Sequence, residues 1–404
     1  MRTIRKVLSG VFVLAVALAL VACASTADHD HHDDHGHGGE GGRLLAVAAD
    51  GSIAVLDAAD GAVQALYPQQ LPEGTPAAYA GPSGEFGYVI QRDASIVAVV
   101  DSGQILEEHD GHEDLEFGEV SIRGEIRAGA LPTHFTTMVG RVGFYNDESG
   151  DITILDEGTI RSGLEYSLTP TRVDHGAPIL LSDVMIVGYI DNPAVEIMDY
   201  EGTVIQEIPD VTRAHGQARV GRFSAIGAVE GVLVITQSGR RFDARMVPNP
   251  PGTPEDVRTG TLAAHPRLAH FVGNLGEGLV KIDPQAHTST PFALPTAPWR
   301  FRVDRSGNYI VVLGQDGVVY VLDSESFAVL GEVAAVDARD PDAPRGTPNP
   351  ALTVGSGIAY LSDPATNRIL EIHLDEAEIA AQLPVPFDAT LTSIALMVTD
   401  GVIH

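Results

Sequence analysis

The stretch "YIVVLGQDGVVYVLD" (309–323) decides how this chain is read. Apolar residues run from Ile310 to Leu313, give way to Gly314-Gln315-Asp316-Gly317, and resume from Val318 to Leu322 before a closing aspartate. Two short, β-branched-rich runs around a Gly/Asp turn predict a hairpin with both strands buried. The same phrase recurs along the chain: "LLAVAADGSIAVLD" (44–57), "FGYVIQRDASIVAVVD" (86–101), "VGFYNDESGDITILD" (142–156), "MIVGYIDNPAVEIMD" (185–199), "FVGNLGEGLVKID" (271–283) and "IAYLSDPATNRILEIH" (358–373). A looser copy, "AIGAVEGVLVIT" (225–236), brings the number to eight over about 360 residues, a period near 45. That period, with period-two alternation and no sustained 3.6-residue pattern, is what the four-stranded blade of a β-propeller requires. The fold class is therefore all-β, a β-propeller of eight blades, with seven as the alternative if one copy is a long loop. The only helix-like stretch is "LDEAEIAA" (374–381). A last apolar segment, "TLTSIALMV" (390–398), is expected to complete the first blade and so pair the two ends of the chain, leaving no open edge.

Ahead of the propeller, which spans residues 43–404, lie two segments of different character. Residues 1–22 read as an export signal: Arg2, Arg5 and Lys6 precede the apolar run "VLSGVFVLAVALALVA", too short to span a bilayer comfortably. The run ends in Leu20-Val21-Ala22-Cys23, which resembles a bacterial lipobox. Cys23 is the sole cysteine, so it can form neither an internal disulfide nor a Cys-based zinc site, and lipidation is its best use. The other reading is a plain secretory signal with Cys23 incidental. Lipidation would hold the mature protein outside the cytoplasm, close to a membrane face.

Residues 23–42 form the second segment, centred on "DHDHHDDHGH" (28–37). His29, His31, His32, His35 and His37 share ten residues with four aspartates, and "GGEGG" follows as a flexible hinge. The segment has almost nothing apolar to bury, so it is expected to stay mobile. It offers many partial ligand sets for Zn²⁺, or for Cu²⁺ and Ni²⁺, without fixed geometry.

Four further histidines stand just ahead of successive hairpins: His134 in "LPTHF", His175 in "VDHG" beside Asp174, His215 in "RAHG" and His265 in "AAHP". Their spacings of 41, 40 and 50 residues match one blade each, so a propeller would gather them on its axis as metal ligands. Trp299 takes that place in the next unit. His109 and His112, in "EEHDGHEDLE" (107–116), form an H-x-x-H pair expected in an acidic loop that could add ligands. The plainer reading is that channel histidines are hydrogen-bonded structural residues repeated with the blades. His287, His373 and His404 lack the pattern and read as surface residues, while His270 is open.

With 55 acidic residues against 25 basic ones, a net charge of −30 argues against nucleic acid as a partner. Taken together, "DHDHHDDHGH", the repeat throughout 43–404 and the segments "LPTHF", "VDHG", "RAHG" and "AAHP" resemble the AztD-type bacterial zinc metallochaperones. The resemblance implies a monomeric, extracytoplasmic Zn(II) carrier without enzymatic activity that delivers its ion to the solute-binding protein of a zinc ABC transporter. Two other functions compete: a metal-dependent propeller hydrolase or lactonase, and a protein-docking propeller with a metal-buffering tail. A haem oxidoreductase is disfavoured by the lack of C-x-x-C-H.

Overall fold

In a computed structural model, residues 41–109, 112–344 and 346–399 are described, with side chains except at 107–109 and 112–113. Residues 1–22, read above as an export signal, Cys23, the five tail histidines and His404 lie outside them. Eight four-stranded antiparallel sheets make up a β-propeller, with one additional two-stranded hairpin. All eight repeated phrases are the second and third strands of a blade, the two most buried ones. In the phrase at 309–323, Tyr309 pairs with Asp323 and Leu313 with Val319 around the predicted turn.

The fourth strands are amphipathic instead, with Val204–Pro209 alternating between exposed and half-buried residues, because only one row packs inward. Neighbouring blades stack face to face through apolar clusters such as Tyr145, Ile152, Leu180, Met185 and Tyr189 between the third and fourth blades. Each such aliphatic or aromatic side chain contributes roughly 1.5–3 kcal/mol by leaving water.

The innermost strands, in ring order from the first blade, are Leu391–Val398, Ala77–Ala80, Pro132–Met138, Gly176–Leu180, His215–Val220, Leu262–Ala263, Pro298–Val303 and Leu352–Val354. The first comes from the C-terminus. Leu391–Val398 pairs with Gly42–Ala48, from Gly42 opposite Val398 to Ala48 opposite Leu391, and closes the ring as the sequence predicts.

Two expectations change. "LDEAEIAA" is not helical: it contributes a turn and then the outermost strand Glu378–Pro384 of the eighth blade, where alternate exposure from Glu378 to Gln382 shows a period of two. His109 and His112 do not sit in a loop. They are cross-strand neighbours at the tip of the hairpin Gln104–His109 and His112–Phe117, inserted between the third and fourth strands of the second blade. No helix among the described residues is long and apolar enough to cross a membrane.

Candidate metal centre

His134, His175 and His215 belong to three successive blades and stand at the starts of their innermost strands. Because all innermost strands run in the same sense along the axis, their starts meet at one rim of the channel. Each offers one ring nitrogen, and the three nitrogens lie within 4.8 Å of one another. His134 Nε2 and His175 Nε2 are 2.9 Å apart. The His175 and His215 rings are nearly parallel, with 5.3 Å between centroids and 9° between planes, and His134 meets both edge-on.

Each ring is aimed by its surroundings. His175 Nδ1–H donates to Asp147 Oδ2 at 2.8 Å, and His215 Nδ1–H donates to the Gly260 carbonyl at 2.7 Å. Both bonds fix the tautomer that leaves Nε2 as a lone pair facing the centre. Since His175 Nε2 is then an acceptor, the proton between it and His134 rides on His134 Nε2; for a metal ion to bind there, that proton would have to move to His134 Nδ1.

Two glycines make this possible. A Cβ on Gly176 would fall 2.2 Å from the Tyr145 ring, whose hydroxyl donates to the Arg172 carbonyl at 2.6 Å and braces the loop that leads into His175. Gly216, at φ +74°, brings the chain so close to Gly260 that a Cβ would lie 2.7 Å from its carbonyl carbon. That approach is what puts Gly260 within reach of His215.

Burial and cationic neighbours favour the neutral imidazole at His134 and His215. Burial, then His215 and His175, push the His134 pKa down to about 3 against the opposing pull of Asp147. His215 is also lowered, by burial first and by Arg258 and His175, against the Gly260 hydrogen bond and Asp147. Neutral imidazole is the form that binds metal. At Asp147, burial acts to raise the pKa, but hydrogen bonds from His175 and Thr133 outweigh it and hold the carboxyl below its usual range. Arg92 adds a nitrogen 3.5 Å away. The other oxygen, Asp147 Oδ1, is buried without a hydrogen-bond partner.

The remaining candidates do not join the triad. Asp174 was read with His175 as a ligand, but its carboxylate accepts from the backbone amides of His175, Ile190, Asp191 and Asn192 and from the Asn192 side chain. It shapes the loop that carries His175 and has no lone pair to spare. His265 lies after its short innermost strand, Leu262–Ala263, and so at the opposite rim, where both ring nitrogens are engaged by Arg305 and Arg267 backbone groups. The hairpin of His109 and His112 rises from that opposite rim too, rooted by Gln104, which donates to the Gly84 and Met397 carbonyls.

His270 is a buried structural residue bonded to the Ser324 carbonyl. His287 and His373 are half-buried rather than fully exposed, the latter beside Glu371. Trp299 starts the innermost strand of the seventh blade, as its place in the repeat suggests. Sequence reasoning missed Asp147 and Gly260. The available signal for Asp147 was its place at the end of a second strand, in the turn that topology lays against the next blade's first loop.

No family model matches this chain. It is 24% identical over 330 residues to the curated "Zinc chaperone AztD" of Citrobacter koseri, a match covering 78% of this chain and 77% of that protein. The crystal structure of Citrobacter koseri AztD superposes with a TM-score of 0.80 at 22% identity, over 90% of this chain and all of the other. A dihydro-heme d1 dehydrogenase, NirN, shares the architecture more loosely, with a TM-score of 0.60 at 13% identity over 87% of this chain and 74% of that one. The propeller architecture therefore does not by itself separate carriers from enzymes. In sequence and in fold alike, this chain is similar to the AztD zinc chaperones, the resemblance already carried by its histidine segments.

Proposed function

We propose that the protein is an extracytoplasmic zinc metallochaperone without bond chemistry of its own. The observation that carries this is the convergence of His134, His175 and His215 from three blades, two of them held in the metal-binding tautomer. Zinc bound to nitrogen at 2.0–2.1 Å in a tetrahedral site requires ligand atoms about 3.3 Å apart. The 2.9 Å gap must open slightly and the longer separations close, which small side-chain rotations achieve. Three protein ligands leave a fourth position facing the channel. Such a site can take up an ion and surrender it, as a carrier must. Imidazoles would also suit copper or nickel; similarity to a named zinc chaperone favours zinc.

In this reading, residues 1–22 direct export, Cys23 is lipidated, and the segment 23–42 collects zinc weakly for transfer to the triad. The receiving partner is the solute-binding protein of a zinc ABC transporter, and the carrier acts as a monomer. Competition titration with a chromophoric chelator, with and without residues 24–40, tests the scheme. One tight site should survive loss of the tail and vanish in His175→Ala, and zinc should pass from the protein to the purified solute-binding protein. Tight binding that persists in His175→Ala would remove the receiving site.

A further inference from the structure

The channel behind the triad encloses a cavity of about 800 Å³, and its wall opposite the third blade is cationic. The innermost strand Pro298–Val303 places Arg300 and Arg302 on that wall. Residues two apart on a strand have Cα atoms about 7 Å apart and project to the same side. Arg339 stands beside this strand, its guanidinium 6.0 Å from the centre of the Trp299 ring.

What sets Arg300 and Arg302 apart is their place side by side on a cavity wall. Arg43 pairs with Asp57, Arg161 with Asp101 and Glu85, and Arg172 with Glu196 and Glu207. Among the described residues, no carboxylate oxygen lies within 4 Å of the Arg300, Arg302 or Arg339 guanidinium. Among the described residues, the guanidiniums of Arg300 and Arg302 hydrogen-bond to the backbone carbonyls of Trp299 and Phe301. This happens in a chain with 55 acidic residues, where supplying a partner is easy. Arg300 is half-buried, whereas Arg302 is exposed to the channel. Burial, followed by Arg302 and Arg339, lowers the Arg300 pKa, and burial lowers that of Arg302; nearby Tyr79 opposes both. Two like charges side by side on one cavity wall repel each other, and a bound oxyanion relieves that repulsion.

We propose that Arg300 and Arg302 form an oxyanion-binding site in the channel, separate from the histidine triad and suited to a small carboxylate or phosphate anion. Guanidinium forks bind both groups through paired hydrogen bonds. Two forks on alternate residues suit an anion with more than one acceptor group.

The test is calorimetric titration of the metal-free mature protein with citrate and, separately, with inorganic phosphate. At least one should bind saturably, and the one that does identifies the class. Arg300→Gln and Arg302→Gln should each weaken it roughly tenfold or more, with melting temperatures checked to confirm folding. Arg302→Lys, which keeps the charge but loses the fork, should fall between. His175→Ala, which disables the triad, should leave anion binding intact, so failure of this proposal is distinguishable from failure of the zinc reading. The proposal is overturned if neither probe binds, if both glutamine variants bind like the parent, or if only His175→Ala loses the anion.

Discussion

Replacing Asp147 tests the part of the candidate metal centre that orients a histidine. Its Oδ2 holds the His175 Nδ1 proton at 2.8 Å and is itself held by Thr133 at 2.9 Å. In Asp147→Ala nothing fixes the His175 tautomer or ring angle, and the negative charge that favours a cation nearby is gone. Loss of a carboxylate that orients a ligating histidine costs about 10–100-fold in metal affinity, or about 1.4–2.7 kcal/mol. Asp147→Asn keeps an acceptor oxygen for the same proton and should sit at the lower end of that range. Chelator competition at neutral pH on protein lacking residues 24–40 reads the triad alone, and thermal melts check that the third blade is intact. If Asp147→Ala bound zinc as tightly as the parent while His175→Ala did not, orientation by Asp147 would be irrelevant and the account of the site wrong in its central step.

Other outcomes follow from the same structure. The His134 pKa of about 3, and the lowered one of His215, contrast with about 6.5 in the unfolded chain. Between those values the unfolded state binds more protons, so native stability is complete above about pH 6.5 and declines as the pH falls toward 3. Urea titrations across that range should show this decline, reduced in His134→Gln. Gly176→Ala forces a methyl into the Tyr145 ring and should cost about 1–3 kcal/mol in chemical denaturation, with weaker zinc binding beside it. Deleting residues 391–404 removes a fully buried strand and should abolish the cooperative unfolding transition seen by calorimetry.

Much of the fold was legible because the second and third strands of each blade are buried on both faces and read as unbroken apolar phrases. The outermost strands were not, since alternation in Glu378–Pro384 over so few residues resembles a helical segment. Within the site, His134, His175 and His215 were visible through blade-length spacing. His265 misled because its innermost strand has two residues, too few to show whether the histidine precedes or follows it. Asp174 was expected as a ligand and Asp147 was passed over for a reason that sequence does not carry: chain neighbours of His175 bond the local turn, whereas the carboxylate that reaches its Nδ1 comes from another blade.

Ring closure by the final strand bears on how the protein matures. Until Leu391–Val398 is in place, the first blade lacks its innermost strand, and the faces it would cover stay wet. Contacts separated by more than 300 residues, such as Ser393 with Ala78, form last and slowly. The polypeptide thus stays an unlocked chain through most of its folding, and only the arrival of its last described strand latches the ring shut.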